Sequence, residues 1–199
     1  MSSEPVSNSG VPSGTERKVN ITVQQSKFSL RSEYEISTPG CIYFAQKKFF
    51  SWRDKISLTD PRDQVLARII GRLSLFRLRY DIELADGRIY HFWREKFWKG
   101  VFLCECNGES FTLYEHKGLN YSIFQNNSQI AAFTKNRVKI GNGDQYEILM
   151  NEDANLLVVV CLALIVDASE NEGDTSSVTY DFGNIGPEAR PFDKSWEPS

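Results

Sequence analysis

The chain has 199 residues, of which 41% are hydrophobic, 13% aromatic and 25% charged, and its 26 acidic against 23 basic residues leave a net charge of −3. That composition excludes a disordered or fibrous chain, and the length suits one domain with a real core plus tails. So small a charge, with no nucleic-acid motif beside it, also argues against a DNA- or RNA-binding protein.

Residues 1–19 hold five serines, two prolines and two glycines without apolar periodicity, and read as a disordered N-terminal arm. They lack the apolar stretch of a signal peptide, and Ser2 gives no myristoylation site. The domain is expected over residues 20–168.

A repeat follows. Phe28–Ile36, Phe50–Leu58 and Phe76–Leu84 align without gaps, each with apolar residues at its first, third, seventh and ninth positions. Period two is the signature of a strand with one buried face, although a bulge at the centre of the unit would shift the phase there. Each unit leads into a turn and a second strand-like run: Thr38-Pro39-Gly40 before Cys41–Ala45, Asp60-Pro61-Arg62-Asp63 before Gln64–Ile70, and Asp86-Gly87 before Arg88–Trp93. Such residues supply the restricted or positive φ values of tight turns, so each unit reads as a β-hairpin. Further strands are expected at Val101–Cys106, Ser110–His116, Leu119–Phe124, Gln129–Thr134, Arg137–Ile140 and Gln145–Met150, with turns at Asn107-Gly108, Asn126-Asn127 and Gly141-Asn142-Gly143. About a dozen antiparallel strands rarely stay open, and closure into a barrel removes their edges.

Leu156–Val166 (LLVVVCLALIV) contains no polar side chain and is bracketed by Asp153, Asn155 and Asp167. As a helix it would span roughly 16 Å, half of a ~30 Å bilayer core. It shows neither a polar stripe nor alternation, so protein must surround it. A barrel of this many strands is too wide for its own side chains to fill, and this run is the natural plug. Its β-branched Val158, Val159, Val160, Ile165 and Val166 favour a strand. Periodicity alone leaves helix and buried strand both open. Residues 169–199 follow as an acidic, largely disordered tail with a net charge of −5, and deleting residues 173–199 is expected to leave stability nearly unchanged.

Cys41, Cys104, Cys106 and Cys161 are too few for a disulfide scaffold and suit a reduced, cytoplasmic protein, which makes the sequons at Asn20, Asn120 and Asn126 chance matches. Glycine-rich nucleotide-binding, HExxH and GxSxG motifs are missing, so no catalytic residue, cofactor or metal is expected. Cys104 and Cys106 with His116 could form a zinc set, against the simpler reading of a reduced structural pair. His91 and His116 read as structural or surface histidines.

Residues 43–54 (YFAQKKFFSWRD), the repeats beginning at Phe50 and Phe76, and residues 153–160 (DANLLVVV) resemble the LURP-one-related proteins, which belong with phospholipid scramblases and tubby C-terminal domains. The resemblance covers roughly residues 26–168. It implies a twelve-stranded antiparallel β-barrel around a central hydrophobic helix, at about residues 154–167, with Leu156, Val160 and Leu164 as core. Tubby domains bind phosphoinositides, and scramblases are membrane-associated and calcium-responsive. This chain has no cysteine cluster for palmitoylation, no long proline-rich arm, no second apolar segment and no EF-type spacing.

Charge adds one more expectation. Residues 46–99 carry a net charge of +6 and residues 100–167 a net of −4. Lys47, Lys48, Arg53, Arg68, Arg72, Arg77 and Arg79, with Trp52 and Trp98 near them in sequence, offer donors for phosphate and aromatics for a lipid interface. The plainer reading pairs them with Asp54, Asp81 and Glu83 across the outer face. The expected partners are anionic phospholipid headgroups or a protein, bound by a monomer; a purely structural protein without lipid affinity and a scramblase-like membrane-associated protein are the alternatives.

Overall fold

The computed structural model of the chain describes residues 19–28, 31–48, 55–72, 78–96, 100–136, 144–173 and 188–199. Twelve antiparallel strands close on themselves: β1 (Val19–Phe28), β2 (Arg31–Ser37), β3 (Ile42–Lys48), β4 (Lys55–Thr59), β5 (Val65–Gly71), β6 (Arg79–Leu84), β7 (Ile89–Lys96), β8 (Val101–Cys106), β9 (Glu109–His116), β10 (Asn120–Gln125), β11 (Ser128–Asn136) and β12 (Gln145–Met150). Consecutive strands are neighbours throughout, and β1 pairs with β12, Val23 opposite Tyr146, to complete the ring. Closure leaves no strand edge within the sheet for another chain to pair with.

The closing strand β1 is one the repeat pattern did not delineate, although Val19, Ile21 and Val23 alternate with Asn20, Thr22 and Gln24. The inward series then reaches Gln25, which is polar yet fully buried. The strand expected at Arg137–Ile140 lies outside the described residues. Phe28 pairs with Arg31, so the first repeat unit straddles the β1–β2 reversal, and the described parts of the other two are strand from Lys55 and from Arg79. Their seventh and ninth positions do line the interior: Tyr34 and Ile36, Ile56 and Leu58, Ile82 and Leu84 are all buried.

Turn chemistry agrees with the sequence. Asn107 and Gly108 have φ of 46° and 90°, and Asn126 and Asn127 have 49° and 67°. Two consecutive positive φ values are what a two-residue type I′ hairpin demands, because only that twist matches the right-handed twist of its strands.

The apolar run is helical. Helix α1 (Leu156–Gly173) threads the lumen, with Asn155 at its N-cap accepting the Val158 N–H at 3.3 Å through Oδ1. Strand propensity loses here because a lone strand in the lumen would leave its N–H and C=O groups unpaired, whereas a helix satisfies its own. Val158 to Val166 are all buried, Val160 and Leu164 among them, and Leu156 packs half-buried at the margin. Tyr121 and Phe133 stack at 4.6 Å between centroids, Phe92 and Phe102 at 5.5 Å, in the wall around it. No described helix is long and apolar enough to cross a membrane.

Two features differ from the expected tail. The helix continues past residue 168 to Gly173, and residues 188–199 lie against the outside of the barrel, with Pro198 buried. An acidic composition did not reveal this because the contacts are made by isolated anchors, Arg190, Phe192 and Trp196, spaced among charged residues.

Candidate functional site

Strand polarity divides the barrel into two ends. The helix enters at the lower end, where the turns after β2, β4, β6, β8 and β10 also lie. It leaves at the upper end, with the connections after β1, β3, β5, β7, β9 and β11. The described lower end is acidic, carrying Asp60, Asp63, Asp86, Glu109, Glu152 and Asp153 against Arg62 and Arg88. Arg88 is already engaged by Asp86 at 2.8 Å. At the upper end the register sets three basic positions in a row: Arg31 on β2 pairs with Lys48 on β3, which pairs with Lys55 on β4.

The basic residues singled out by sequence are thus not one outer face. Lys47 follows Ala45 on the inward side of β3 and is 5% exposed, opposite Ser32 and Ile56. Lys48 belongs to the upper-end row. Arg68 is exposed on β5 between Ser57 and Glu83. Arg72 donates to Asp81 from both Nε and a terminal nitrogen, and His91 Nδ1 stands 2.9 Å from the other Asp81 oxygen. Burial pushes the Asp81 carboxyl up, but His91 and Arg72 outweigh it and hold it below the ordinary aspartate value. Arg79 is exposed, opposite Trp93. Arg53, Arg77, Trp52 and Trp98 lie outside the described residues. The Arg72–Asp81 contact is the outer-face pairing that sequence had set against a binding role.

A second polar cluster sits inside. Asp167 is 0% exposed on the helix, and four donors fill its two oxygens. Oδ1 accepts Lys135 Nζ at 3.0 Å and the Tyr146 hydroxyl; Oδ2 accepts the Tyr34 hydroxyl at 2.6 Å and Gln25 Nε2 at 3.0 Å. Lys135 also meets Asp144 at 2.9 Å. Burial raises the Asp167 carboxyl, yet the Lys135 charge and the hydrogen bonds together win and hold it below its usual value. Tyr34 is pushed well above the normal phenol range, first by burial and then by the neighbouring carboxylate. With every lone-pair direction occupied, this cluster fixes the depth of the helix rather than receiving a ligand. Sequence reasoning noted Asp167 only as the end of the apolar run. The available signal was Gln25 and Lys135, polar residues standing at inward positions of otherwise apolar alternations.

The thiols do not converge with His116. Cys104 and Cys106 share the inward face of β8, and burial drives the Cys104 thiol far above its usual value. Cys161 lies on the helix, its thiol pushed up to about 12. His116 packs against Phe192 on the outside, so the suggested zinc set is not assembled.

Neither a curated protein nor a solved structure matches the chain significantly. The family model described as LURP-one-related matches residues 19–167, from the first residue of β1 to the buried aspartate of the helix. Those limits take in the closed barrel and the apolar part of its helix, and the chain belongs to the LURP-one-related family.

Proposed function

We propose that this barrel is a non-enzymatic, monomeric binding module of the cytosol that contacts anionic phospholipid headgroups, phosphoinositides foremost, with its upper end. The observation that carries this reading is the in-register row Arg31, Lys48 and Lys55, on a barrel whose opposite end is acidic. Exposed Arg79 on the same side of the sheet adds to it, while Arg68 and the Asp81-bound Arg72 contribute less because each faces or holds an acid. A basic residue near an anionic membrane surface contributes about 1 kcal/mol, and the attraction decays over roughly 8–10 Å at physiological salt. The charge gradient along the barrel would also orient it, lower end outward, during approach.

Vesicle flotation tests this. Binding to phosphatidylcholine vesicles should be weak, should rise as phosphatidylinositol bisphosphate is added, and should fall as salt increases. Lys48→Glu with Lys55→Glu should reduce it by more than tenfold, since the loss of two cations at about 1 kcal/mol each already amounts to roughly thirtyfold. Neutralising Arg62 and Arg88 at the lower end should change nothing. Binding that ignores headgroup charge, salt and the upper-end substitutions would remove the lipid reading and leave a protein partner as the ligand.

A further inference from the structure

Strands β10 and β11 are buried on both faces. Their inward Tyr121, Ile123, Ala131 and Phe133 belong to the core around the helix, yet the outward Ser122, Phe124 and Ala132 are also only 2%, 6% and 8% exposed. What covers them is the end of the chain. Residues 188–199 run from the upper end, where the Lys117 N–H donates to Glu188 Oε1 at 2.9 Å, to the lower end, where the Ser199 N–H donates to Asn151 Oδ1 at 3.0 Å. Between these points the Arg190 guanidinium lies 3.8 Å from the Phe124 ring centroid, and Phe192 lies 5.0 Å from the His116 ring. His116 is buried beneath, with Nε2 2.7 Å from Ser122 Oγ and Nδ1 4.0 Å from a Glu188 oxygen.

The segment is attached as a ligand is attached. Its described residues form no strand and extend no ladder; its grip includes a cation on an aromatic face, an aromatic ring against an imidazole, and a hydrogen bond near each end. Pro191 and Pro198 donate nothing and restrict the backbone, which lowers the entropy lost on docking. A half-open pocket of about 180 Å3 lies between Phe192, Lys194 and Trp196 on one side and Ala132, Thr134 and Leu149 on the other. The segment therefore does not seal flush against the barrel wall along its whole length. Residues 174–187 join the segment covalently to the helix, so a released segment stays on the same chain and rebinding is intramolecular.

We propose that the outer face of β9–β12 is a docking groove for an extended segment of the Glu-x-Arg-Pro-Phe type, and that residues 188–199 are a strap bound there reversibly rather than a fixed part of the fold. Its release uncovers an apolar strip centred on Phe124, Ala132 and Tyr114, which recaptures the same segment.

The test begins with the full chain, purified intact with a specific protease site placed between residues 174 and 187. The probe is a fluorescent peptide of residues 186–199. After cleavage the fragment should be lost on dilution, and the emptied barrel should bind the probe saturably. The uncleaved chain should bind it at least tenfold more weakly, because its own strap competes. A peptide carrying Arg190→Ala and Phe192→Ala should lose tenfold or more. A fragment that never dissociates, or an emptied barrel indifferent to the probe, overturns the proposal. If the emptied barrel precipitates, hydrogen exchange on the intact chain decides: the Lys117 amide, held by Glu188, should exchange by local opening well before core amides such as that of Tyr121. Exchange of both only on global unfolding would make the segment integral and refute the strap.

Discussion

Replacing Asp167 by alanine removes the acceptor on which Lys135, Tyr146, Tyr34 and Gln25 converge. Breaking a buried ion pair from one side costs about 3–5 kcal/mol, chiefly because the surviving charge loses its partner in a low-dielectric site. Here the loss is blunted, since Lys135 keeps Asp144 at 2.9 Å and Gln25 Nε2 keeps the Tyr34 hydroxyl at 3.2 Å. The Tyr146 hydroxyl loses its carboxylate acceptor, and a hydrogen bond to a charged group is worth about 1.5–3 kcal/mol. Taken together and without assuming additivity, Asp167→Ala should destabilise the barrel by about 3–5 kcal/mol, a large share of the ~5–15 kcal/mol typical of a domain. The assay is the guanidinium unfolding midpoint at constant slope, because a changed slope would signal a different unfolded or native state. Asp167→Leu combined with Lys135→Met should recover part of the loss, since apolar replacement of both partners of a buried pair is often near neutral. A loss below about 1 kcal/mol for Asp167→Ala, or a double variant as unstable as the sum of its singles, would refute the claim that this network locks the helix.

Two further predictions concern the same core. Val160, 2% exposed in the middle of the helix, should not tolerate Val160→Asp, which places an unpaired charge among apolar side chains at a cost comparable to the whole stability; soluble expression with a normal melting temperature would show that the run is not central. Acid should weaken the fold through Asp167. Its folded value lies below its unfolded one near 3.9, so its contribution is complete above about pH 4 and is lost as pH falls through the lower folded value. The drop in stability between pH 5 and pH 2 should be shallower in Asp167→Asn, and an unchanged drop would assign the acid sensitivity to other carboxylates.

Much of the architecture was legible because strands and turns obey local rules. The seventh and ninth positions of each repeat, the paired asparagine and glycine turns and the uniformly apolar run each report a backbone state set by its own residues. What escaped is what depends on residues far apart. β1 was not delineated because its alternation breaks at Gln25, and Gln25 is inward only because Asp167, 142 residues later, is there to receive it. Composition assigned residues 188–199 to a tail because their anchors are single side chains whose partners lie on β9, β10 and the β9–β10 turn. The candidate binding residues were legible as charge but not as position. Lys47 and Lys48 are adjacent in sequence, yet the first lies on the inward side of β3 and the second stands in the upper-end row.

The sequence by itself determined a β-barrel with an apolar plug, since period-two alternation and one unbroken hydrophobic segment leave few other ways to hide that surface from water. Only the tertiary structure decided that the plug's end is held by a filled carboxylate cluster, that the basic residues divide between wall, pair and row, and that the final residues occupy an outer groove. Those outcomes rest on register and closure. A hydrogen bond, an ion pair or a row of like charges exists only once the ring has fixed which residues face one another.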